Sequence, residues 1–309
     1  MIAEHTINPD HWQVTLGSAA VEPIVVEVWR GEVVEATHRV HAVAVADGQI
    51  VDSSGDHELS TFFRSSAKPF QALPVVREQP DLSDAEIAVA CASHLHRSAD
   101  QLEPVLRLLQ RAGASEADLE CGGTSPIEHV CSGKHAAMLL LCAERGWPTQ
   151  GYRLASHPCQ RVLLAGVAAA AEVEPDSMQT AVDGCGVVTY SLTLGRMAHA
   201  FSRLEDLEGG RCVADSMRAH PDLIGGDDSP DVDLMRLGDG WVAKYGAEGL
   251  LCAARTGVGI ALKVEDGAQR ALRSALAAFL ARLGFETADL ANVPVENSRG
   301  EVVGKLRAR

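Results

Sequence analysis

The sequence predicts a mixed α/β (α+β) fold: an antiparallel sheet built from both termini and backed by helices, with a mostly helical domain inserted between. Three observations lead there. Val/Ile-rich stretches with turn signals occupy residues 23–51 and return at 241–264, whereas residues 83–219 carry helical periodicity and capping boxes. The expected division places 1–62 and 235–309 in the sheet domain and 63–234 in the helical insertion. At 309 residues the chain is long enough to bury a core without disulfides or a structural metal.

The elements follow in order. Residues 23–29 and 33–46 read as strands around Arg30-Gly31-Glu32, and Asp47-Gly48 is a hairpin signal before 49–51. Ser83-x-x-Glu86 and Ser98-x-x-Gln101 are capping boxes, the first opening a helix to about Ala92, the second one that stops at Gly113. Further helices are expected over 134–144, 157–171, 191–204 and 212–219. Strands return over 241–244, 249–255 and 257–264, a long amphipathic helix covers 269–283, and 301–306 closes as a strand. The stretch 225–231, with Asp227-Asp228, reads as a mobile loop.

Charge narrows the function. With 27 Lys+Arg against 42 Asp+Glu the net charge is −15, which argues against nucleic acid or an anionic membrane as partner. Met1-Ile2-Ala3-Glu4-His5 lacks the basic and apolar regions of a signal peptide, and no apolar run approaches the roughly twenty residues of a membrane span. Eight cysteines then read as reduced thiols of a cytoplasmic protein.

Three groups of residues carry chemistry. Ser65-Ser66-Ala67-Lys68-Pro69 places a hydroxyl and an amine one helical turn apart, so a desolvated lysine can serve the serine as base. Read with Ser93 in Ala92-Ser93-His94 and with Lys244-Tyr245-Gly246, it gives the order of the S-x-x-K, S-D-N and K-T-G signatures of class A β-lactamases and penicillin-binding proteins. The Asp-Asn of the second is missing. The third group is Cys131-Ser132-Gly133-Lys134-His135 with Asp183-Gly184-Cys185-Gly186. Its two thiols suit zinc, although buried structural cysteines and an anion-binding lysine explain the same letters.

The runs Arg64-Ser-Ser-Ala-Lys-Pro-Phe-Gln-Ala, Cys91-Ala-Ser-His94, Cys131-Ser-Gly-Lys-His135, Asp183-Gly-Cys-Gly186 and Ala243-Lys-Tyr-Gly-Ala-Glu-Gly249 resemble the bacterial L-asparaginase II family of the Rhizobium etli type. The resemblance runs from about Val25 to Gly267. It implies a serine β-lactamase/glutaminase-like fold, hydrolysis of L-asparagine to L-aspartate and ammonia, and a homodimer. It also implies two catalytic pairs, Ser65 with Lys68 and Ser93 with Lys244, and one zinc ion on Cys131, Lys134 and Cys185. Arg64, His135 and Asp183 fall at pocket-lining positions. Two departures bear on the substrate side: Leu95-His96-Arg97 stands where small and acidic residues are usual, and the segment from Gly113 to Cys131 is short. Another amidase of this fold, acting on glutamine or a β-lactam, and a non-catalytic zinc- or amino-acid-binding scaffold are the alternatives.

Overall fold

A computed structural model describes residues 22–93, 98–226 and 229–309. The chain opens with β1 (Ile24–Arg30), β2 (Val33–Ala46) and β3 (Gln49–Ser54). Asp47 and Gly48 both take positive φ, 49° and 73°, as the predicted two-residue hairpin requires. After β4 (Ser60–Phe62) a 3-10 turn over Arg64–Ala67 runs into α1 (Lys68–Glu78). Then come α2 (Asp84–Cys91), α3 (Ala99–Arg111), α4 (Ser132–Glu144) and α5 (Pro158–Ala171). Strands β5 (Thr180–Val182) and β6 (Val188–Thr193) precede α6 (Leu194–Ser202), α7 (Gly210–Ala219), α8 (Pro221–Ile224) and α9 (Pro230–Arg236). The chain returns through β7 (Val242–Gly246), β8 (Leu250–Arg255), β9 (Val258–Val264), α10 (Leu272–Arg282), β10 (Val293–Glu296) and β11 (Val302–Ala308).

The termini build the main sheet, as expected. Its order is β10-β11-β1-β2-β9-β8-β7, with β3 added on β2, and every pairing is antiparallel. β9 is buried at all seven positions, so both faces are covered, and α6 and α10 both pack on it. A second, three-stranded sheet in the order β4-β6-β5 lies beside the helices. No helix among the described residues is long and apolar enough to cross a membrane.

Both capping boxes form: Ser83 with Glu86 ahead of α2 and Ser98 with Gln101 ahead of α3. Three expectations need correction. The helix expected over 191–204 begins only at Leu194, because residues 188–193 (Val-Thr-Tyr-Ser-Leu-Thr) form β6 and Thr193 caps the helix by accepting from the Arg196 N–H. The helix expected over 269–283 starts as a 3-10 turn over Gln269–Ala271. In the stretch read as a loop, Asp227-Asp228 lies outside the described residues. Ser229 and Asp231, however, are buried and start α9, with Pro230 at its first position.

Candidate active site

The strand-to-helix passage after β4 is held from three sides. The Phe63 amide donates to Tyr190 O at 2.8 Å, and its ring packs with Phe70 and Phe201 at centroid distances of 5.7 and 6.2 Å. Arg64 then takes φ +48°, a left-handed conformation that costs a non-glycine residue about 1 kcal/mol or more. Its amide donates to Thr189 Oγ1 at 3.2 Å, and its Nε donates to Asp183 Oδ1 at 2.8 Å. This bent residue turns the half-buried Ser65 into the 3-10 turn. Its hydroxyl makes no hydrogen bond among the described residues. Ser66 faces inward instead and donates to Lys244 O at 2.8 Å, tying the turn to β7. Gly246 permits the approach, since a Cβ there would lie 3.1 Å from Ser66 Oγ and 3.3 Å from Phe63 O.

Lys68, the first residue of α1, is fully buried. Its Nζ donates to Ser93 Oγ at 2.8 Å, to Val130 O at 3.3 Å and to Ala92 O. All three acceptors are neutral. Burial therefore pushes the amine down to about 8; the Cys131 sulfur opposes this, and the charges of Lys134 and Lys244 add to it. Ser93 directly follows α2 and is anchored by its own N–H, which donates to Ile224 O at 2.7 Å.

Lys244 on β7 has a different environment. Its Nζ donates to Asp231 Oδ2 at 2.9 Å and to Tyr245 O at 3.1 Å, and lies 4.6 Å from the centre of the Tyr245 ring. The hydrogen bonds join other partners than the two Ser–Lys pairs that the resemblance implies. The hydrogen bonds of Lys68 run to Ser93, and those of Lys244 run to Asp231. The reason is reach: Lys68 extends inward to acceptors on two loops, while Ser65 stays at the surface of the turn.

Asp231 did not emerge from the sequence. Its Oδ2 also accepts from the Tyr245 N–H at 2.9 Å, and its Oδ1 accepts from the Ser229 hydroxyl and from the Val232 N–H at 3.0 Å. Burial works against this carboxylate, yet Lys244, Ser229 and the Tyr245 amide hold its pKa below the usual value. The Ser229-Pro230 pair, a cap followed by proline at the first helical position, was the available signal that this stretch is structured.

The predicted metal ligands come together. Cys131 precedes α4, Lys134 lies on its first turn, and Gly133 lets that turn close on α2: a Cβ there would fall 2.0 Å from Val89 O. Lys134 Nζ donates to Cys185 Sγ at 3.2 Å, and Cys185 is in turn hydrogen-bonded to Cys131. That bond, opposed by burial and reinforced by Lys68, Lys134 and His129, holds the Cys131 thiol well below its ordinary value, whereas Cys185 is raised. Burial disfavours a charged Lys134, but Cys131 and Cys185 outweigh it and keep the amine protonated. Two sulfurs and a nitrogen on one side of a helix start fit a zinc ion, provided the lysine gives up its proton on binding. No cluster of three His, Cys, Asp or Glu groups suited to a metal occurs among the described residues.

Arg64 and Asp183 form a direct ion pair, partly open to solvent. His135 is separate from it and fully buried; its Nδ1 meets Tyr152 OH at 2.7 Å. That hydroxyl also accepts from the Glu120 N–H at 2.8 Å. Nε2 has no partner among the described residues, and burial together with Lys134 keeps the ring neutral. His94 and the Leu95-His96-Arg97 departure lie outside the described residues.

The profile of the L-asparaginase II family matches residues 26–308. No curated protein matches the chain. Among solved structures, Mglu in its native form is 14% identical with a TM-score of 0.46, over 79% of this chain and 65% of that one. Mglu in its glutamate form is 14% identical with a TM-score of 0.48, over 81% and 62%. A β-lactamase from Mycobacterium bovis is 12% identical with a TM-score of 0.34, over 80% and 95%. The chain spans less than two thirds of the length of either Mglu chain.

Proposed function

The chain belongs to the L-asparaginase II family, and from that premise we propose that it hydrolyses L-asparagine to L-aspartate and ammonia through an acyl-enzyme on Ser65. The observation that carries this reading is the buried Lys68 amine, lowered to about 8 and hydrogen-bonded to Ser93 at 2.8 Å. A buried lysine with neutral hydrogen-bond acceptors, one turn from a serine hydroxyl that makes no hydrogen bond among the described residues, is equipped to act as a base near neutral pH.

In the proposed sequence neutral Lys68 takes the Ser65 proton as the serine oxygen attacks the side-chain amide carbon. Backbone N–H groups at the start of the turn hold the developing oxyanion, at about 3 kcal/mol per donor. Ser93 gives its proton to the departing nitrogen and is reprotonated by Lys68, so ammonia leaves and the lysine returns to its neutral state. Water then attacks the ester, Lys68 accepts its proton, and Ser65 recovers it. Lys244 enters as a fixed positive charge that keeps Lys68 low. The Arg64–Asp183 pair opens to receive the substrate zwitterion, carboxylate on Arg64 and ammonium on Asp183.

Zinc, held by Cys131, Lys134 and Cys185, belongs to the proposal as well. When bound it supplies a Lewis acid beside the pocket. Ammonia release from asparagine and glutamine, run beside hydrolysis of a chromogenic β-lactam, tests the function. Release from asparagine above glutamine supports it, and turnover confined to the β-lactam overturns it.

A further inference from the structure

Lys244 is wholly buried, and a buried ammonium is stable only beside an anion or a full set of acceptors. Groups from four other elements face it. From α1 comes Lys68, another amine, and from α2 comes Cys91, whose thiol burial pushes up to about 12. Its cross-strand partner on β8 is Cys252, also raised by burial, and beside it on β7 is Tyr245, whose phenol is raised likewise. From α9 comes Asp231, the one anion among these described groups. Its side chain is 0% exposed, as is that of Lys244, and its two oxygens accept four hydrogen bonds including the one from Nζ. The network has a geometric consequence. Asp231 grips both the tip of Lys244 and the Tyr245 amide of the same strand, so it sets where Nζ stands relative to β7 and to the turn that Ser66 ties to that strand.

We propose that Asp231 is the positioning residue of the second lysine: it fixes Lys244 as a permanent ammonium at one place beside Lys68, so that only Lys68 exchanges protons with the serines. The proposal rests on the Ser–Lys reading above and assigns the two lysines different work. Lys68 has neutral acceptors and cycles its proton. Lys244 has a carboxylate and does not.

The chain contains five lysines, which makes a titration followed by NMR of lysine labelled at the ε position tractable in the intact protein. Removal of the carboxylate in Asp231→Asn changes the course of the Lys244 signal with pH from that of the wild type, because the ammonium loses its anion. In parallel, kcat of Asp231→Asn falls on the order of 10²-fold with KM changed by less than about threefold, and Asp231→Glu recovers part of the loss. If Asp231→Asn fails to fold, Ser229→Ala, which removes one of the four hydrogen bonds, carries the same NMR test with a smaller shift. An unchanged Lys244 titration in either folded variant overturns the proposal, as does wild-type kcat in Asp231→Asn. A wild type inactive on every amide tested, with the Lys244 titration nonetheless moved, separates failure of the enzymatic reading from failure of the Asp231 assignment.

Discussion

Lys68 Nζ and Ser93 Oγ stand 2.8 Å apart although 25 positions separate them in the chain. The contact joins the start of α1 to the loop after α2 and gives the buried amine a hydroxyl on which to pass its proton. In the proposed mechanism the turn before α1 supplies the attacking group and the loop after α2 the relay, so that chemistry depends on the packing of α1 against α2 rather than on either motif alone.

Ser65→Ala removes a hydroxyl with no hydrogen bond among the described residues, on a half-buried side chain. Its expected effect on stability is under about 1 kcal/mol, while kcat falls on the order of 10³-fold or more. Urea unfolding and single-turnover kinetics on one preparation give both numbers. A variant that keeps more than a small fraction of its activity removes Ser65 as nucleophile.

The pH dependence follows from Lys68. The base must be neutral, and its pKa is about 8, so kcat/KM rises about tenfold per pH unit below that value and levels above it. Stability carries the same signature with a definite sign. Between about 8 and the ordinary 10.5 the unfolded chain binds the proton that the folded chain has released, so folding stability rises with pH across that window. The wild type therefore gains stability relative to Lys68→Met from pH 8 to 10.5, which chemical denaturation of both proteins across the series measures. An acidic optimum points to a carboxylate base instead.

Arg64→Met leaves Asp183 without its cation and removes the group assigned to the substrate carboxylate. Because the pair is partly open to solvent, the loss is expected mainly as a KM raised on the order of tenfold, about 1.4 kcal/mol. Arg64→Lys, which keeps charge but not the planar fork, falls between. Steady-state kinetics decide it: a loss confined to kcat places Arg64 outside substrate binding.

Zinc measured by elemental analysis of the purified protein is expected at up to one equivalent per chain and to vanish in Cys131→Ser/Cys185→Ser. The fold should persist, because the core that surrounds the site is built from apolar side chains of both sheets and most helices. Loss of cooperative thermal unfolding on chelation contradicts a ligand-orienting role and makes the metal structural.

What the sequence made legible is what is local. The 64–72, 131–135, 183–186 and 243–249 runs are readable because a turn or a strand presents neighbouring residues to one place, and the Asp47-Gly48 hairpin and the Ser83 cap are decided within a few residues. The partners of long side chains are not local. Lys68 reaches residues 25 and 62 positions away, so its pairing with Ser93 and Val130 follows only from the packing of α1, α2 and α4. Asp231 was hidden for another reason: it is one of 42 acidic residues, in a stretch rich in Gly and Asp whose composition matches a surface loop. Ser191 to Thr193 show the limit for short elements, where three residues fit the end of a strand and the start of a helix equally well.

The most direct measurement is to mix the protein with excess asparagine, quench it in acid during the first turnovers, and map the modified peptide by mass spectrometry. An aspartyl ester on the peptide containing Ser65, absent from Ser65→Ala, is the expected result. Turnover of asparagine with no covalent adduct at any quench time, or with the adduct on Ser93, contradicts acyl transfer through Ser65.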